Sequence, residues 1–84
     1  MYYVYVLKSE KNGSFYIGFT SNWEKRLKEH NQGKNKATRP FRPYNLIFYE
    51  SFLNTKDAKA REEYLKSGWG WRSLKKILKN YLSG

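Results

Sequence analysis

The sequence predicts an α/β (α+β) fold: a small three-stranded, mainly antiparallel sheet flanked by helices, in the order β-β-α-β-α-α. Three observations predict it. YYVYVL and FYIGFT, residues 2–7 and 15–20, are aromatic and β-branched runs separated by a segment that ends in Asn12-Gly13. Ser21 with Glu24, then Trp23 and Leu27, have the spacing of a helix start and an apolar helix side. YNLIFYESF reads as a third strand, and two helical patterns follow it. The 84 residues make one domain, residues 1–84, near the lower limit for a cooperative core.

The elements follow in order. Asn12-Gly13 suits a tight hairpin turn, because both residues tolerate positive φ. A turn centred there pairs residues whose numbers sum to 25. Tyr3, Tyr5 and Leu7 then share a face with Tyr16, Gly18 and Thr20, and Val4 and Val6 share the other with Phe15, Ile17 and Phe19. The second set is core. The first is mixed, with hydroxyl-bearing rings around a glycine that leaves room for a phosphate or for the first helix. That helix is expected to start at the Ser21/Glu24 capping box and end near Gly33.

NQGKNKATRPFRPYN, residues 31–45, holds two prolines and four basic residues and is expected to be a long surface loop. The third strand covers about 45–51, and Asn54 or Thr55 caps a helix over about 56–66. SGWGW, residues 67–71, reads as a break, with Trp71 needed for packing and Trp69 free to stack on a base. One last helix follows, with Leu74, Ile77, Leu78, Tyr81 and Leu82 as its buried stripe and Lys75, Lys76 and Lys79 off it.

Composition narrows the partner. There is no cysteine, which excludes disulfide partners and thiolate metal sites. The N-terminal apolar run lacks the flanks of a signal peptide. No stretch approaches the ~18 residues of a membrane span. A cytoplasmic location and no membrane partner are expected. Seventeen basic and seven acidic residues give a net charge of +10. Nine basic and three acidic residues in 1–42 give +6, and eight and four in 43–84 give +4, so the excess is global. Such a field favours polyanions, nucleic acid above all.

Some residues add chemistry to that charge. Arg26 and His30 are four apart and share a helical face. Tyr5 and Tyr16 come from neighbouring strands, and Glu62 offers a carboxylate from the later helix. These types suit phosphodiester hydrolysis. A guanidinium gives fixed donors to charge developing on phosphate oxygens, and a carboxylate can hold a divalent ion.

The whole constellation has a known likeness. YVYVL (3–7), YIG (16–18), EKRLKEH (24–30), ATRPFRP (37–43) and DAKAREEYLK (57–66) together resemble the GIY-YIG endonuclease superfamily. The nearest branch is the small stand-alone UPF0213/YhbQ-like type, related to the N-terminal nuclease domain of UvrC. The likeness spans about residues 2–82. It implies a metal-dependent endonuclease that hydrolyses DNA phosphodiester bonds, of the kind used in DNA repair or recombination. The alternative is a nucleic-acid-binding module with a weakened or inactive nuclease site.

The resemblance also implies roles. Tyr5 is then the general base or the residue orienting the nucleophilic water, and Tyr16 contacts the phosphate. Gly18 is the structural glycine, Arg26 steadies the scissile phosphate, and His30 serves in hydrogen bonding or proton transfer. Glu62 is the metal ligand for one Mg²⁺ or Mn²⁺, bound only with substrate, and Glu63 faces solvent. Lys34, Lys36, Arg39 and Arg42 are expected to contact the nucleic-acid backbone. Two departures stand out. The first motif reads Tyr3-Val4-Tyr5 with no glycine, and Phe19 stands where many relatives carry lysine.

Overall fold

The computed structural model describes residues 1–84. Its elements are β1 (Tyr2–Ser9), β2 (Phe15–Thr20), α1 (Trp23–Asn31), a 3-10 turn (Arg39–Phe41), β3 (Tyr44–Phe52), α2 (Thr55–Lys66), α3 (Gly68–Ile77) and α4 (Lys79–Ser83). The sheet order is β2-β1-β3, with both pairings antiparallel. β1 is the middle strand, and Val4, Tyr5, Val6 and Leu7 are all buried in sequence. An unbroken buried run means that both sheet faces are covered. One face packs Val4, Val6 and Ile17 against Ala58 and Leu65 of α2 and Leu74 of α3. The other packs Tyr5 and Leu7 against Tyr44, Tyr16, Leu46 and Leu27 of α1.

The hairpin register differs from the sequence expectation by two residues. Tyr5 faces Gly18, Leu7 faces Tyr16 and Tyr3 faces Thr20, so paired numbers sum to 23. The cause is a wider turn. The Ser9 N–H donates to the Ser14 carbonyl, and the Gly13 N–H donates to the Ser9 carbonyl. Ser9 Oγ accepts from the Lys11 and Asn12 amides, which leaves Gly13 alone at positive φ, +75°. A shift of two keeps every side chain on its expected face. A further irregularity lies between β1 and β3, where Val6 pairs with Phe48 but Leu7 pairs with Leu46. The bulge puts Ile47 and Phe48 both on the α2 side and returns Leu46 to the α1 side.

α1 begins one residue later than expected. Thr20 Oγ1 accepts from the Asn22 amide, which holds Ser21 outside the helix, and Asn22 Oδ1 caps the Lys25 amide at 3.1 Å. Glu24 therefore cannot close a box with Ser21. The helix ends at Gln32 with Gly33 at φ +79°. The Asn31 side chain then clips the loop shut, donating to the Tyr44 carbonyl and accepting from the Tyr44 amide.

The C-terminal helices correct two expectations. The break after α2 is a single residue, Ser67, which closes α2 through the Tyr64 carbonyl and caps α3 through the Gly70 amide. Trp69, Gly70 and Trp71 are helical. A β-carbon on Gly70 would sit 1.8 Å from the Tyr64 carbonyl oxygen, so glycine lets α3 cross directly over α2. Trp71 packs edge-on against Phe15 at 5.1 Å, as its packing role requires. The last helix is not continuous. Leu78 leaves helical geometry (φ −99°, ψ 18°), and α4 turns away. Leu74 is buried and Leu78 half-buried, but Ile77, Tyr81 and Leu82 of the expected stripe stay exposed. No helix is long and apolar enough to cross a membrane.

Candidate functional site

The site is built around one ring laid across a glycine. Tyr5 points from the central strand onto the α1 face, and its partner across the ladder is Gly18. A β-carbon at Gly18 would lie 2.3 Å from the Tyr5 hydroxyl oxygen and 2.4 Å from Cζ. The space over Gly18 is therefore filled by the Tyr5 ring, where a phosphate or the first helix had been expected. The hydroxyl crosses β2 and meets α1.

There it finds His30. The Tyr5 hydroxyl lies 3.1 Å from His30 Nε2, and His30 Nδ1 lies 2.8 Å from Thr38 Oγ1. All three residues are buried. The Thr38 hydroxyl has the Asn35 carbonyl 3.5 Å away as its own acceptor, so Oγ1 is free to accept. The tautomer with the proton on Nδ1 satisfies both contacts, with Nδ1 donating to Thr38 and Nε2 accepting from Tyr5. Tyr16 packs edge-on against both rings, 4.8 Å from His30 and 6.3 Å from Tyr5. Tyr44 adds another wall, 6.2 Å from His30.

Burial sets the electrostatics. It pushes the Tyr5 phenol up to about 12, with the neighbouring Tyr16 adding to the rise; Arg26 opposes it, and the Glu62 carboxylate adds a smaller push upward. His30 is held below its ordinary value, first by burial and then by the Arg26 charge. Arg26 is half-buried and pairs with Glu29 at 3.1 Å. A small cleft of about 110 Å³ opens beside the buried pair, lined by Arg26, Glu29, His30, Lys34 and Asn35.

Glu62 comes from α2, which packs on the opposite face of the sheet from Tyr5. Its carboxylate is half-buried and bound by Lys66 at 2.9 Å, whereas Glu63 is exposed. Phe19 stacks on Tyr2 and faces α2, where the Lys59 ammonium lies 5.2 Å over its ring. A cation therefore stands close to position 19 in space, supplied from α2 one turn before Glu62.

The loop cations divide. Lys34 and Lys36 are exposed and form no ion pair. Arg39 Nε donates to the Gly33 carbonyl at 2.7 Å, and Arg42 Nη1 donates to the Arg39 carbonyl at 3.2 Å, so both also clasp the loop. The structure brings Tyr5, Tyr16, Gly18, Arg26 and His30 together and leaves Lys36 on the outer loop. Sequence reasoning missed Thr38, Tyr44 and Glu29 as neighbours of this site. Thr38 had one local signal, its place after Asn35 in a basic loop.

The profile of the GIY-YIG catalytic domain matches residues 1–69. The chain belongs to the GIY-YIG family. Within it, the chain is similar to UPF0213 proteins. The GIY-YIG chain is 48% identical to UPF0213 protein CPE1444 of Clostridium perfringens over 67 residues, covering 79% of this chain and 71% of that one. It is 39% identical to UPF0213 protein SH2523 of Staphylococcus haemolyticus, with 90% of this chain and 93% of that one covered. The solution structure of UPF0213 protein BH0048 from Bacillus halodurans matches with a TM-score of 0.56 at 32% identity, over 92% of this chain and 85% of that one.

Proposed function

We propose that this GIY-YIG chain binds the phosphodiester backbone of nucleic acid over the Tyr16–Arg26–Lys34 surface, as a binding module whose nuclease site is weakened. The observation that carries the reading is the state of the polar groups there. The Tyr5 phenol is pushed to about 12 and tied to His30, Arg26 is paired with Glu29, and Glu62 is paired with Lys66. A phenol so strongly protonated at neutral pH is a poor base. The surrounding positive charge still attracts a polyanion, and Arg26 and Lys34 rim the cleft where a phosphate oxygen fits. Most such contacts position the strand and carry no sequence preference.

A second reading, divalent-metal-dependent DNA cleavage, is favoured by the likeness of residues 1–69 to the GIY-YIG catalytic domain. No cluster of three or more His, Cys, Asp or Glu side chains exists to cage an ion. One half-buried carboxylate suits only a hydrated Mg²⁺ or Mn²⁺ shared with the substrate phosphate. Such an ion would neutralise charge on that phosphate. For its part the chain supplies Arg26 donors to the equatorial oxygens and His30 Nε2 as the acceptor of the Tyr5 proton.

The test compares nicked, branched and supercoiled DNA in Mg²⁺ or Mn²⁺, with wild type beside Arg26→Ala, Lys34→Ala and Glu62→Gln. The binding reading expects retained binding in Glu62→Gln, reduced binding in the two cation variants, and little nicking by any. Rapid wild-type nicking that Glu62→Gln abolishes would establish the second reading. Unchanged binding in both cation variants would defeat the first.

A further inference from the structure

Trp69 stands on the first turn of α3 with 73% of its surface exposed, and Tyr64 on the last turn of α2 with 42% exposed. A domain this small has use for every large ring in its core, and Trp71, two residues on, is taken in against Phe15. Trp69 is left in water. Each exposed ring carries a guanidinium: Arg72 lies 5.3 Å from the Trp69 ring centre, and Arg61 lies 5.4 Å from that of Tyr64. Between them runs an open groove of about 470 Å³, lined by Tyr64, Trp69, Arg72, Ser73 and Lys76, with no carboxylate. Arg61 is already neutralised by Glu50 at 2.7 Å, whereas Arg72 and Lys76 form no ion pair. The groove belongs to α2 and α3, which cover the Val4–Val6–Ile17 face, while the Tyr5 site lies with α1 on the other.

We propose that this groove binds single-stranded nucleic acid, with an unpaired base stacked on Trp69 and the adjoining phosphates held by Arg72 and Lys76. Aromatic rings beside free cations are the composition of a base-stacking platform, and stacking tolerates any base because every base has a π-face. A duplex keeps those faces inside its own stack and gains little from Trp69. An acidic peptide would satisfy the cations and leave both rings unused. The choice of nucleic acid as the polyanion rests on the backbone-binding reading above. The domain measures 30 × 29 × 19 Å, so a strand leaving a duplex on the α1 face can continue onto this one.

The test uses the Trp23→Phe/Trp71→Phe protein, whose only tryptophan fluorescence is that of Trp69, titrated with oligothymidylate, an abasic oligomer of equal length, and polyglutamate. Oligothymidylate is expected to quench Trp69, and the other two are not. In the otherwise natural chain, Trp69→Ala is expected to weaken oligothymidylate binding about tenfold, from the loss of one stacked base, and duplex binding less than about twofold. Trp69 is exposed enough that its removal leaves the fold intact. Absent quenching, equal quenching by the abasic oligomer or by polyglutamate, or equal losses on duplex would each overturn the stacking groove. Arg26→Ala separates the two proposals. Oligomer binding that depends on Arg26 without quenching Trp69 removes the groove alone; quenching with binding indifferent to Arg26 and Lys34 removes the backbone reading alone.

Discussion

His30 is held at both ring nitrogens, with Thr38 Oγ1 2.8 Å from Nδ1 and the Tyr5 hydroxyl on Nε2. With the proton committed to Thr38, Nε2 accepts the Tyr5 hydroxyl at 3.1 Å. Thr38→Val keeps the shape and removes the acceptor. A loss of about 1–3 kcal/mol is expected from the stranded N–H. The His30 ring ¹⁵N shifts should move from a single Nδ1–H tautomer to a mixture, and Thr38→Ser should restore the wild-type pattern. An unaltered ring spectrum in Thr38→Val would show that the tautomer is set elsewhere.

Gly18 and Tyr5 are coupled by a steric clash in waiting. Gly18→Ala puts a methyl within 2.3 Å of the Tyr5 hydroxyl oxygen. The ring must leave, at about 1–3 kcal/mol for an overpacked core. In a Tyr5→Ala background the same substitution should cost far less. A double-mutant cycle on urea midpoints measures the difference, and additive effects would contradict the geometry.

The pH dependence of stability has two limbs. His30 is the chain's only histidine, and its value is lowered from 6.5 by burial and Arg26. As pH falls below 6.5, the unfolded state takes up the proton first, so stability present above that pH is lost toward the lower folded value. Tyr5 has the opposite sign. Its folded value of about 12 exceeds the ordinary 10.0, so its contribution is complete below 10 and is lost as pH rises toward 12. Unfolding free energies between pH 5 and 7.5 should flatten in His30→Gln. Those between pH 9.5 and 11.5 should flatten in Tyr5→Phe.

The loop cations should separate by their second roles. Lys34 and Lys36 are unpaired, so alanine at either is expected to lower the salt dependence of log K by about one phosphate contact and leave stability unchanged. Arg39→Ala should in addition lower the melting temperature, because its Nε holds the Gly33 carbonyl. Equal melting temperatures for all three variants would argue against the clasp.

How far the sequence reached varies by residue. Val4, Val6, Ile17 and Leu74 were legible as core because alternation and helical spacing are local. The faces of Tyr5, Tyr16 and Gly18 were legible too, even with the register wrong, since a slip of two preserves parity. Ser21 was misread because a Thr20 hydroxyl competes for the chain just before the helix. The Ile77–Leu82 stripe was misread because its periodicity is genuine but the helix bends at Leu78.

By itself the sequence determined the strands, the first two helices, the positive charge and the residue types of a GIY-YIG chain, all of which follow from neighbours a few residues apart. Only the tertiary structure decided what those residues touch. The Tyr5 hydroxyl meets a histidine 25 positions away, that histidine a threonine 8 further on, and Glu62 lies on α2 on the far side of the sheet. The burial that raises the Tyr5 phenol and the contacts that join it to His30 and Thr38 depend on distance across elements, which no local pattern encodes.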